Sequence, residues 1–225
     1  MAITDAGQMC ESSAITTTTR MTLSSTSCPA GGLMVLHLGG RVSSGTLDLV
    51  SVTDSKGGTW NYQKGASGYR AAFLAWRRSL TPLVAGTDWV EVRWSKAPQV
   101  AWISGHVHLN AGATKIDGGW SQGSPGSTAS KTISVSGSDF LVLATVTYAY
   151  DLATTTPLNS MTEQDTFAGT NVFVEALSRN HTSGSTFQAG TSFSASRYWS
   201  VIAVSLPFEA IPAGARSSIG LFGAV

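Results

Sequence analysis

The sequence predicts an all-β protein, a jelly-roll-like β-sandwich made of two pseudo-repeated halves. Three observations predict it. Helical periodicity is almost absent, and short alternating or continuous apolar runs are broken by glycine and polar turns. Hydrophobic residues make up 42% of the chain but charged residues only 12%, about half the usual share of roughly 25%. Gly, Ser, Thr and Ala fill that gap, and small polar and β-branched residues suit strands and tight turns. The order of elements also recurs at an offset of about 100 residues, as in an internal repeat.

Residues 1–29 read as an N-terminal arm and first strand. Leu33 to Leu38 is the next strand, ended by Gly39-Gly40, and Leu47 to Thr53 follows. Asp54-Ser55-Lys56-Gly57-Gly58 reads as a turn, because Asp starts turns and Gly accepts positive φ. Thr59 to Tyr62 is the return strand, then Tyr69 to Arg78 with Leu74 and Trp76 on one face. Asp88 to Trp94 alternates, with Val90, Val92 and Trp94 inward and Trp89, Glu91 and Arg93 outward. Val100 to Leu109 closes the half, with Ile103, Val107 and Leu109 on its inner face.

Residues 111–130, dominated by Gly, Ser, Thr and Ala, read as a linker. The pattern then restarts. Phe140 to Leu143 echoes Leu33 to Leu36, Met161 to Phe167 echoes the hairpin at Trp60, and Asn171 to Leu177 echoes Ala71 to Arg77. Thr186 to Ser194 takes the place of the strand at Asp88, and Arg197 to Leu206 echoes Val100 to Leu109, with Trp102 aligned to Trp199. Half-repeats 30–110 and 131–208 are each too small to stand alone, which predicts one sandwich over 30–208. Phe140 to Tyr148 is apolar on both faces, so oligomer neighbours are expected to cover its second face.

The Gly-Gly-Leu-Met-Val-Leu opening strand, the Ser51 to Trp60 hairpin and the Tyr-Trp-Ser-Val-Ile-Ala-Val-Ser-Leu closing strand resemble β-sandwich virion proteins of tailed bacteriophages. These are of the minor tail or head-decoration type; the same features also resemble β-sandwich repeats of some bacterial surface proteins. The resemblance spans about residues 30 to 208 and implies a non-enzymatic module that works through protein contacts, since such sandwiches host many roles. Its implied partners are other virion proteins and copies of itself, with a host-surface glycan as the alternative. The implied location is the virion, assembled in a host cytoplasm.

Charge and motifs narrow the chemistry. The formal net charge is +1 and Arg77-Arg78 is the longest basic pair, so no nucleic-acid footprint is expected. No apolar run is long enough for a membrane span, and the first residues lack a basic region followed by an apolar core. Cys10 and Cys28 are expected as free thiols. No Gly-x-Ser-x-Gly elbow occurs, and no catalytic residue, metal or cofactor is expected. His106-x-His108 share a strand face but lack a third ligand nearby, so they read as histidines of the outer face. Glu163 and Asp165 share a face without a pocket signal.

The expected contact residues are therefore aromatic and apolar. Trp89, Trp102 and Trp199 fall on outward faces by alternation. Residues 209–225 form a C-terminal arm carrying Ile219, Leu221, Phe222 and Val225, apolar side chains that gain nothing from exposure and so should dock on a neighbour, the alternative being that they fold back and seal one end of their own sandwich.

Overall fold

Alternating apolar residues commit a strand to a two-sided environment, and the chain uses that rule in three layers of packing. The computed structural model describes residues 2–65, 70–135, 140–149, 154–169, 171–181 and 184–211. Its described elements are strands and one short 3-10 turn, Leu158–Ser160.

In the first half, β1 (Thr4–Ser12), β3 (Leu33–Arg41), β5 (Asn61–Lys64), β6 (Arg70–Arg78) and β8 (Val100–Leu109) form a sheet ordered β1-β8-β3-β6-β5. A smaller sheet, ordered β2-β7-β4, joins β2 (Thr18–Thr22), β4 (Leu49–Asp54) and β7 (Trp89–Trp94). Met34, Leu36, Phe73, Ile103 and Val107 of the large sheet close on Met21, Val52, Val90, Val92 and Trp94 of the small one. The inward assignments on β7 and β8 follow the alternation of the sequence. Asp54 also behaves as its sequence implies, its carboxylate accepting from the Lys56 N–H at 2.8 Å while Gly57 takes φ 68°.

The second half contains β9 (Asp117–Ser134), β10 (Phe140–Tyr148), β11 (Thr155–Pro157), β12 (Thr162–Gly169), β13 (Val172–His181) and β14 (Thr186–Pro207). The segment read as a linker is thus mostly the long strand β9. Its glycines and serines hid it from a hydrophobicity reading, because an edge strand supplies few apolar side chains. β9 and β14 lose register between Ser192 and Trp199, where the strands turn a corner. Residues 199–205 of β14 pair with 117–123 of β9 and with β10. Residues 186–192 pair with 128–134 of β9, and 191–193 pair with β11. Folding over the corner brings Phe193 against Tyr148 and Phe187 against His181, with ring centroids 4.6 and 5.2 Å apart.

With the long strands split at their corners, the two halves have the same topology. The large sheet β9-β14-β10-β13-β12 matches β1-β8-β3-β6-β5, and the small sheet β9-β14-β11 matches β2-β7-β4. Each half is therefore a two-layered sandwich with its own core, rather than one face of a shared sandwich. The repeated strand order is the one the sequence predicts, but the residue alignment is not. Trp102 faces the other half, whereas Trp199 packs on its own half's core. Aligning them is a slip of one residue, which inverts every side chain. Aligning the start of β6 on the start of β13, and the end of β8 on the end of β14, places His37 on Thr145 through the strand registers.

The two large sheets stand back to back in a reversed order. β3 lies over β10 and β13, β6 over β10 and β14, and β8 over β13 and β12. This is a pseudo-twofold arrangement with β3 and β10 near its axis, where His37 Nδ1 meets its own counterpart Thr145 Oγ1 at 3.0 Å. Leu33, Val35, Leu74 and Trp76 pack against Leu141, Leu143, Ile202 and Val204 in the layer between. All of β10 is buried. Its second face is covered by the other half of the same chain, so the premise for expecting oligomer neighbours there is removed.

Candidate functional site

The layer between the halves is apolar at one end and polar at the other. On β8 the side chains of Trp102, Ser104, His106 and His108 alternate toward the second half, and all four are buried. Their counterparts by register on β14 are Ser200, Ile202, Val204 and Leu206. The histidine pair thus shares a face, as its spacing predicts, but the face is internal. Alternation cannot report a second sheet covering a face that would otherwise be outer.

Around Ser104 a small network forms. Its Oγ lies 3.1 Å from His106 Nε2 and donates to Asp165 Oδ2 at 2.8 Å, while Gln8 Nε2 donates to the same carboxylate oxygen at 2.6 Å. Asp165 enters the layer because β12 bulges between Glu163 and Asp165. The bulge also undoes the expected shared face: Asp165 turns toward the middle layer, while exposed Glu163 stays on the side of Glu175. The network contains Ser, His and Asp, but in an order unlike a nucleophile relay. The carboxylate holds the serine rather than the imidazole, and His106 Nδ1, where an orienting acid would sit, has no protein partner.

Burial governs the protonation of these rings. Desolvation lowers His37 well below the ordinary histidine value, aided by the neighbouring His106 and His108. It lowers His108 to about 4 against the pull of Asp5, and lowers His106 against Asp5 and Asp165. His37 and His106 stand edge to face at 6.0 Å. Neutral rings are good metal ligands, yet among the described residues no three His, Cys, Asp or Glu side chains converge on one point. Cys10 and Cys28 are free and buried in the first core, and burial pushes both thiols up to about 12.

Of the aromatic contact candidates, Trp102 is corrected from outward to fully buried. Its Nε1 donates to Glu11 Oε1 at 2.9 Å and its ring stacks on Phe167. Trp199 packs against the second core rather than outward. Trp89 is half-buried with the Arg20 guanidinium 4.0 Å above its ring. Ile219, Leu221, Phe222 and Val225 lie outside the described residues. Among the described residues the exposed aromatics are Tyr62, Trp120 and Tyr198, none of them an outward position that alternation singles out. Among the described residues no helix is long and apolar enough to cross a membrane.

No known protein family, curated protein or solved structure matches the chain.

Proposed function

We propose that the protein is a structural component of a bacteriophage virion, of the minor tail or capsid-decoration type, acting through protein contacts rather than catalysis. The observation that carries the reading is the duplicated, back-to-back architecture. The groups with chemical potential, Ser104, His106 and His108, are sealed in the middle layer. The small sheets β2-β7-β4 and β9-β14-β11 lie on opposite outer sides. Such a body is a rigid spacer with two separate faces for neighbours, and exposed Leu80, Val84 and Val50 supply apolar contact points on the first half. The low charge and the strand motifs described above agree with it.

The test is position and stoichiometry on a purified particle. Cross-linking and quantitative mass spectrometry should find this chain at fixed copy number beside other virion proteins. Its absence from every particle fraction would overturn the reading. Exposed Trp120 and Tyr198, both from the β9–β14 pair, favour a glycan-binding alternative, because exposed aromatic rings stack on sugars. A glycan array decides that case: specific binding lost in Trp120→Ala would replace assembly with recognition as the main role.

A further inference from the structure

The two halves treat one arginine differently. With the start of β6 aligned on the start of β13, Arg77 and Arg179 hold the same position. Each lies two residues beyond a core side chain, Ala75 or Leu177, and so on the core face of its strand. In the first half the guanidinium is sealed. Arg77 donates to Asp54 Oδ2 at the end of β4, and Trp60 Nε1 donates to the same oxygen at 2.8 Å. The second half keeps the cation without that anion. β11 ends on Pro157 where β4 ends on Asp54, the next residues are Leu158-Asn159-Ser160, and Met161 stands where Trp60 does.

Among the described residues Arg179 joins no ion pair, and its one side-chain hydrogen bond runs from Nη1 to the Asn159 carbonyl. A guanidinium carries five N–H donors, so most of this fork is unused. Beside it lies a cleft of about 420 Å³. The Phe187 ring forms its floor, with the Arg179 guanidinium carbon 5.9 Å and the His181 ring 5.2 Å from the ring centroid. The rim is polar and neutral, made of Asn159, Ser160, Thr186 and Gln188, and no described Asp or Glu lines the cleft. Asn159 Nδ2 donates to the Gln188 carbonyl at 2.8 Å and Gln188 Nε2 to Ser130 Oγ at 2.9 Å. These bonds fix the rim and leave the two amide oxygens as acceptors.

We propose that this cleft binds an acidic sugar, a pyranose ring bearing a carboxylate, whose carboxylate takes on Arg179 the place that Asp54 takes on Arg77. The planar guanidinium fork matches a carboxylate and engages it through two parallel hydrogen bonds. The first half shows that this strand position accepts a carboxylate, and the second half supplies none of its own. The rest of the cleft favours a sugar over the acidic side chain of a partner protein. A lone Asp or Glu would fill the fork and leave the rim without a partner. Ring hydroxyls both donate and accept, as the amide oxygens of Asn159 and Gln188 and the hydroxyls of Ser160 and Thr186 require. The volume is that of a small-molecule site. The site stands apart from the assembly role and from Trp120.

Titration of the isotope-labelled full chain at pH 7 with sodium glucuronate and with N-acetylneuraminate tests this, with glucose and sodium acetate as controls. At least one acidic sugar should shift the Arg179 and His181 resonances saturably, and each control should bind at least about tenfold more weakly. Arg179→Ala should weaken binding at least about tenfold, and Arg179→Lys, which keeps the charge without the fork, should weaken it too. Ser160→Asp, on the exposed rim, sets an internal carboxylate beside Arg179 and should abolish binding with the melting temperature maintained. If Arg179→Ala misfolds, Arg179→Lys and Ser160→Asp decide. The proposal is overturned if neither acidic sugar binds at on the order of 10 mM. It is equally overturned if glucose or acetate binds as tightly, or if binding survives unchanged in the Arg179 variants or in Ser160→Asp. A glutamate-rich peptide that shifts Arg179 where the sugars do not would also overturn it, and would make the cleft a docking point for a partner protein.

Discussion

Asp54 shows how one side chain fixes a hairpin and a core at once. Its Oδ1 closes the turn to Lys56, while its Oδ2 accepts from Trp60 Nε1 at 2.8 Å and pairs with Arg77. Arg77 is only 5% exposed, and its guanidinium passes so near Gly58 that a β-carbon there would collide with it. Removing the carboxylate strands a buried cation and an indole N–H together. Asp54→Ala is therefore expected to cost about 3–5 kcal/mol, measured as a shift of the urea midpoint. A loss below about 1 kcal/mol, the scale of a surface ion pair, would mean that water replaces the carboxylate. The turn was legible in the sequence, because Asp and Gly have fixed roles in turns. The ion pair was not, because Arg77 joins from a strand whose alternation does not reveal which charge awaits it.

At the level of strands, contact between the halves depends on small residues as much as on apolar ones. A β-carbon on Gly39 of β3 would lie 2.4 Å from Val174 Cγ1 and 2.7 Å from Thr147 Cγ2, both of the other half. Gly39→Val should push the large sheets apart while leaving each half's own core in place. The expected signature is faster hydrogen exchange in β3, β10 and β13 with the β7 amides still protected; uniform loss of protection would show that the halves unfold as a unit. The strands of the first half were readable because their faces differ in polarity. Two elements were not. β9 carries too few apolar residues to announce a strand, and β10 is apolar on both faces, which leaves its register open to the one-residue slip that misaligned Trp102 with Trp199. The polar network went unread for a related reason: Gln8, Ser104 and Asp165 are far apart in sequence and meet only through the stacking of two sheets.

For the whole molecule, the buried histidines set an acid limit. His37, His106 and His108 have folded values lowered mainly by burial, His108 to about 4, with Asp5 and Asp165 the acidic groups that oppose the shift. Above the ordinary value of about 6.5 the rings are neutral in both states and cost nothing. Below it the unfolded chain takes up protons that the folded chain refuses, so stability falls as pH drops from about 6.5 toward 4. Three such rings give at most about 4 kcal/mol per pH unit. His108→Leu, which copies its counterpart Leu206, should flatten this slope by about a third, read as the difference in urea midpoints between pH 7 and pH 5. Glu175 works in the opposite sense, losing stability as pH rises from its ordinary range to about 8, but it is common to both proteins and cancels. An unchanged slope would show that the middle layer admits water.

The pseudo-twofold stacking of two like sandwiches is the geometry of a homodimer written into one chain. Two separate copies would part on dilution, and their contact would have to be the same at both ends. Joined by a peptide, the halves meet at an effective concentration that no dilution changes. Their shared layer is also free to differ from end to end, which is how Ser104, His106 and His108 come to occupy one end while Ile202, Val204 and Leu206 occupy the other.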